Sequence, residues 1–218
     1  AAVNGRTVVI TGASSGIGAA LAKLLASQGH QVVLAARREA ELAKVAKDCA
    51  GKALVVVADL TRRADAEKVA AHAIAKFGGF DVWVNNAGRG ISRMPSQLTD
   101  ADLDDMMTVN VKSALYGMQA ALPHFQSRGE GHLINVSSML GRIPFAPIRS
   151  AYCGAKHFLN ALTACMRQEL ATSHPGIQVS LVSPGVVATD FGLNALHGGM
   201  DSRQLPNAQS VEEVAQVI

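Results

Sequence analysis

The sequence predicts an α/β protein, a doubly wound parallel sheet in a three-layer α/β/α arrangement, and three observations carry that prediction. Short β-branched runs alternate with helical stretches along the whole chain, the signature of strand–helix–strand units. The strands read as near-continuous apolar runs rather than alternating ones, as expected where both faces of a sheet are covered. Hydrophobic residues make up 49% and charged residues 17% of the 218, enough to bury one sizeable core.

The elements follow in order. "RTVVIT" is the first strand, and a helix runs from about Gly16 to Gly29, where the glycine suits a left-handed cap. "HQVVLAA" is the second strand, with a polar-faced helix over Arg38 to Cys49; "KALVVVAD" is the third, with a helix over Ala64 to Gly78. "FDVWVNNAG" is a fourth strand leading into a loop, followed by a long helical stretch from near Thr99 to about Gln126. "GHLINVSS" is the fifth strand, a helix around Tyr152 extends to about Thr172, and "IQVSLVSPG" is the sixth. No repeat, linker or low-complexity tract interrupts them, so residues 1–218 read as one domain.

Composition narrows the function classes. A net charge of +3, with the basic residues spread out, offers no face for nucleic acid. Three cysteines make no disulfide framework and suit a reducing compartment. No apolar run approaches the roughly 20 residues of a membrane span, and the start lacks a signal core, so a cytoplasmic location is expected.

In a doubly wound sheet, ligands bind beyond the carboxyl ends of the strands. After the first strand, "TGASSGIG" places Gly12, Gly16 and Gly18 in a tight turn into a helix, where bare backbone and free N–H groups suit a pyrophosphate. A phosphate loop of the Gly-Lys-Ser/Thr kind is excluded, because no such tripeptide follows. After the second strand stand Arg37 and Arg38 where an acid would bond a ribose 2′-hydroxyl, which favours a 2′-phosphate. Asp59 follows the third strand, either accepting from an adenine amino group or capping a helix. Asn85 to Gly88 form a hydrogen-bonding loop, and Asn110 sits within the long helix. The stretch "SAYCGAKH" sets two overlapping pairs one helical turn apart, Tyr152 with Lys156 and Cys153 with His157. The first suggests proton transfer, the second a nucleophilic thiol.

Taken together, these motifs resemble the short-chain dehydrogenase/reductase family, of the type preferring NADP. The match covers nearly the whole chain: Thr-Gly-x-x-x-Gly-x-Gly at 11–18, Asn-Asn-Ala-Gly at 85–88, the helical Asn110, the serine of "NVSS", Tyr-x-x-x-Lys at 152–156, and Pro-Gly at 184–185. The resemblance implies a Rossmann-like fold and an oxidoreductase passing a hydride between NADP(H) and a carbonyl or secondary alcohol. It makes Tyr152 the acid/base, Lys156 its helper, Ser138 the substrate-orienting hydroxyl and Asn110 part of a proton relay. The dinucleotide is expected along Gly12, Ser14, Ser15, Gly16, Ile17, Gly18, Arg37, Arg38, Asp59, Leu60, Asn86, Ala87, Gly88, Tyr152, Lys156, Pro184, Gly185 and Thr189. The substrate is expected against Ser138, Leu140, Phe145, Tyr152 and Phe191. Cys153 and His157 are expected to pack or face away.

Two departures from the family pattern stand out. The interval from Ser138 to Tyr152 is one residue longer than usual, which leaves Ser137 as the alternative to Ser138. The chain also stops at "VEEVAQVI", where family members continue into another helix and strand, so a C-terminal strand is expected to be missing. Apolar residues on more than one face of the Tyr152 helix predict a homodimer or homotetramer. Ile91, Met94, Met139, Leu140, Phe145, Phe191, Leu193 and Met200 predict an apolar substrate end, with a substrate loop at about 189–209. Arg89, Arg93 and Arg142 keep an acyl-thioester reductase as the alternative, and a non-catalytic dinucleotide-binding regulator is the other.

Overall fold

A computed structural model describes residues 5–218. Six strands form one parallel sheet: β1 Thr7–Thr11, β2 Gln31–Ala36, β3 Ala53–Val57, β4 Val82–Asn85, β5 Gly131–Val136 and β6 Ile177–Val182. Their order is β3-β2-β1-β4-β5-β6, with register set by pairs such as Val9 with Val33 and with Trp83. The strand order reverses between β1 and β4, and a crevice opens beyond their carboxyl ends.

Successive side chains of a strand point to opposite faces, so each strand feeds two cores. Val9, Val33, Trp83 and Leu133 pack beneath α3 (Arg63–Phe77), α5 (Ser113–Arg128) and α6 (Ser150–Ser173). Val8, Ile10, Val32 and Leu34 pack beneath α1 (Gly16–Ser27), α2 (Glu39–Lys47) and α7 (Val211–Ala215). This explains the unbroken apolar runs. A smaller cluster of Ile91, Met106, Val111, Ala151, Tyr152 and Ala155 lies under the site.

The long helical stretch is composite. α4 (Asp100–Met107) starts with a reciprocal cap between Thr99 and Asp102, then a π-helical segment over Thr108–Lys112 leads into α5. Asn110 sits in that π segment and is buried. Periodicity reads the whole as one helix because an i→i+5 turn leaves almost no trace in the apolar pattern. Among the described residues, no helix is long and apolar enough to cross a membrane.

Candidate active site

The crevice is a cavity of about 870 Å³ running from the first glycine loop to Tyr152. At its near end, Gly12 and Gly16 take left-handed conformations, with φ of 65° and 56°. A Cβ on Gly18 would lie 2.5 Å from the Gly12 carbonyl oxygen and 2.6 Å from Asn86 Nδ2, so only glycine lets α1 start there. Asn86 Nδ2 donates to the carbonyls of Thr11 (3.1 Å) and Gly12 (3.3 Å), while Thr11 Oγ1 accepts from the backbone N–H of Asn86 and Ala87. The Asn-Asn-Ala-Gly loop is therefore clipped onto the glycine loop. Ser15 heads α1 without a side-chain cap and no acidic residue lies in the first turn, which leaves N–H groups for an anion.

Every residue expected along the dinucleotide lines this cavity except Gly18, which packs against the Gly12 carbonyl and Asn86 behind it. Arg38 Nη2 folds back onto Ser14 Oγ (3.0 Å) and Ser15 Oγ (2.8 Å). Asp59 Oδ1 accepts from Thr61 N and Oγ1, so the carboxylate shapes the turn after β3 while still facing the cavity. Burial works against its ionisation, but the Thr61 bonds and the charges of Arg37 and Arg62 outweigh that and hold it below its usual range. Thr189 packs its methyl group towards Gly16, which brings the start of the 189–209 segment across the loop.

At the far end, Tyr152 and Lys156 are both buried on α6 one turn apart, with Lys156 Nζ 5.6 Å from the Tyr152 ring centre. Lys156 donates to the Val136 carbonyl at 3.0 Å, at the end of β5. Burial pushes the Lys156 amine down to about 8 and the Tyr152 hydroxyl up to about 12, the latter moderated by a hydrogen bond with Ser138. Desolvation is the largest influence on the tyrosine, and it favours the protonated hydroxyl.

Ser138 bonds Tyr152, whereas Ser137 Oγ is engaged with Asn160 Oδ1, and Asn160 Nδ2 donates to the Gly141 carbonyl. Asn110 uses its side chain to clamp the loop: Nδ2 donates to the carbonyls of Arg89 (2.9 Å) and Met106 (3.1 Å), and Oδ1 accepts from Arg89 N. The thiol pair does not form. Cys153 is buried with its thiol pushed up by desolvation, and His157 Nδ1 contacts the Cys153 backbone carbonyl instead.

The substrate end differs from expectation. Leu140 and Phe191 line the cavity, but Phe145 lies outside its lining and is 57% exposed. Ile91 is wholly buried in the cluster beneath, while Met94, Met139, Leu193 and Met200 are exposed and not among the lining. Loop residues have no periodicity from which to read a direction, and the β-bridge between Ile91 and Leu196 turns Ile91 inward. Among the arginines expected at the rim, Arg89 lines the cavity but is ion-paired with Asp105, Arg93 faces Asp102 and His197, and Arg142 donates to Ser183 Oγ.

Sequence reasoning missed two features. One is a buried chain in which Trp83 Nε1 donates to Asn85 Oδ1, Asn85 Nδ2 to Asn135 Oδ1, and Asn135 Nδ2 to Thr163 Oγ1, each within 2.8–2.9 Å. It ties β4 and β5 to α6 below Lys156; asparagines inside otherwise apolar strands were the available signal. The other is Arg149, three residues before Tyr152, which lines the cavity.

The model of the short chain dehydrogenase family matches residues 6–197. The chain is 37% identical over 201 residues to an uncharacterised oxidoreductase of Staphylococcus epidermidis, covering 88% of this chain and 85% of that one. A Staphylococcus aureus uncharacterised oxidoreductase is 36% identical over 215 residues, covering 96% and 89%. Among solved structures, an alcohol dehydrogenase of the archaeon Thermococcus sibiricus complexed with 5-hydroxy-NADP superposes with TM-score 0.85 at 26% identity, covering 97% of this chain and 88% of that one. A short chain dehydrogenase/reductase of Burkholderia phymatum in complex with NAD does so with TM-score 0.88 at 25% identity, covering 99% and 85%. With that match spanning most of its length, the chain belongs to the short-chain dehydrogenase family of oxidoreductases.

Proposed function

We propose that this protein interconverts a carbonyl and a secondary alcohol with NADP(H), using Tyr152 as general acid/base. The observation that carries this reading is the buried Tyr152–Ser138–Lys156 group at one end of a cavity whose other end is the glycine loop at the head of α1. The residues present fit a dinucleotide, since Gly12 and Gly16 line the cavity with no side chain and the first turn of α1 has no acidic competitor. When bound, the nicotinamide supplies or accepts the hydride. Arg38 and Arg37 would face a 2′-phosphate at the adenosine end. Ser138 orients the substrate oxygen, and Tyr152, protonated in the free cleft, delivers its proton to that oxygen as reduction proceeds. Lys156 steadies the phenolate left behind, and the buried setting keeps bulk water from competing for the proton.

The outward face of α6, with Phe158, Ala161 and Cys165 exposed, supports assembly into a dimer or tetramer through this helix. Leu140 and Phe191 supply an apolar wall for the substrate. The test is nicotinamide oxidation against a carbonyl panel. Tyr152→Phe should lose turnover about 10²–10⁴-fold while still binding NADPH. Undiminished turnover in that variant would reject the mechanism.

A further inference from the structure

The cations lining the cavity are not equivalent. Lys23 pairs with Asp48, Arg89 with Asp105, and Arg203 with Asp190 and Asp201. Lys156 is buried and donates to the Val136 carbonyl, Arg37 has Asp59 in its field, and Arg38 rests on two serines beside the glycine loop. Arg149 remains, at the opposite end, and among the described residues no carboxylate pairs with it. Its Nη1 donates to the Ile91 carbonyl (3.0 Å) and to Ser92 Oγ (3.1 Å), which fixes the guanidinium. Its Nε and Nη2 make no hydrogen bond and are not sealed from solvent, and Arg149 is among the residues lining the cavity.

Two glycines pack closely around the guanidinium. A side chain on Gly90 would meet Arg149 Nη1 at 3.4 Å and the Phe191 ring at 3.0 Å, and one on Gly199 would meet Arg149 Nη2 at 3.1 Å. Phe191 in turn packs on Tyr152, with ring centres 5.5 Å apart. Arg149 and Tyr152 are near enough to feel each other's charge, so a group held by Arg149 lies in the neighbourhood of the tyrosine. Burial works against the charge on Arg149, and a carboxylate beside it would favour that charge.

We propose that Arg149 binds a carboxylate on the substrate, and that the enzyme acts on short oxo acids and the corresponding hydroxy acids. This rests on the Tyr152 reading and narrows its substrate class. The chemistry stays balanced: the nicotinamide of NADPH gives a hydride to the carbonyl carbon, Tyr152 gives the oxygen its proton, and NADP⁺ and the hydroxy acid result. A forked guanidinium with two donors free suits the planar carboxylate, with Leu140 and Phe191 flanking the chain between.

The test compares 2-oxo, 3-oxo and 4-oxo acids with their methyl esters, matched neutral ketones and a ketone phosphate, in wild type, Arg149→Met and Arg149→Lys. One of the oxo acids should be the best wild-type substrate. In Arg149→Met its kcat/KM should fall about 10- to 100-fold further than that of the neutral ketone, mainly through KM, the loss expected for a hydrogen bond to a charged group. Arg149→Lys should restore part of it. Equal losses for acid and ketone would overturn the proposal and leave Arg149 a structural clamp on Ile91 and Ser92. A wild-type preference for the neutral ketone or the phosphate would overturn it too. A measurement independent of turnover uses butanoate with the NADPH complex. Thermal stabilisation of wild type that Arg149→Met lacks supports the site, and its absence from wild type counts against it. If no carbonyl is reduced at all, the Tyr152 reading fails, while butanoate binding still reports on Arg149.

Discussion

Replacing Arg38 tests how the adenosine end distinguishes a 2′-phosphate from a hydroxyl. The side chain is exposed but already positioned, its Nη2 3.0 Å from Ser14 Oγ and 2.8 Å from Ser15 Oγ at the head of α1. A hydrogen bond to a charged phosphate contributes about 1.5–3 kcal/mol. Solvent screening places an exposed arginine at the lower end, about 1.5 kcal/mol, or roughly 10-fold in affinity. Arg37 shares its field with Asp59 and should matter less, about 3-fold on the same screening argument. The assay is kcat/KM for NADPH and NADH, by nicotinamide absorbance at fixed carbonyl concentration, in wild type, Arg37→Ala and Arg38→Ala. NADPH efficiency should fall roughly 10-fold in Arg38→Ala with NADH nearly unmoved. The wild-type preference should also shrink with salt, since the Debye length is only about 8 Å at physiological ionic strength. Equal efficiencies for the two cofactors in wild type, or equal losses for both in Arg38→Ala, would refute the reasoning.

Three further outcomes follow from the same geometry. Gly18→Ala drives a Cβ into the Gly12 carbonyl and Asn86 Nδ2, so it should cost about 1–3 kcal/mol of stability and raise the KM for NADPH, measured by thermal melting and kinetics. A variant as stable as wild type would show that α1 shifts freely. Thr163→Val strands the buried Asn135 amide and should cost about 1–3 kcal/mol, whereas Thr163→Ser should keep most of the stability; equal melting of both would remove the network's role. Asp102 is held down to about 2 from its usual 3.8 by a hydrogen bond with His197 and by the Thr99 cap, with Arg93 alongside. A depressed carboxyl contributes stability above its unfolded value that is lost as pH falls through the folded one. Urea midpoints should therefore drop between about pH 4 and pH 2, and Asp102→Asn should flatten that limb. An unchanged acid limb in the variant would place the acid sensitivity elsewhere.

Sequence by itself determined the order of the six strands and of the helical stretches between them, though not the π segment that divides α4 from α5, because burial on both faces writes unbroken apolar runs and helices write a 3.6-residue period. It also determined that Tyr152 and Lys156 share a helix face, and which residues stand just past each strand, since both follow from spacing along one element. What lies between elements was decided only by the tertiary structure. Ser138 rather than Ser137 meets Tyr152 because Asn160, distant in sequence, engages the other hydroxyl. Arg89 is neutralised by Asp105 and Arg149 by no carboxylate among the described residues, although both are arginines at loop ends. Ile91 turns inward through its bridge to Leu196 while Phe145 points away from the cavity. Burial raises the Tyr152 hydroxyl and lowers the Lys156 amine, an effect that spacing along one helix does not encode. The physical reason is common to all of these. Local periodicity encodes which side of an element is apolar, but the partner of a polar side chain is chosen by chain segments tens of residues apart that meet only when the sheet is assembled.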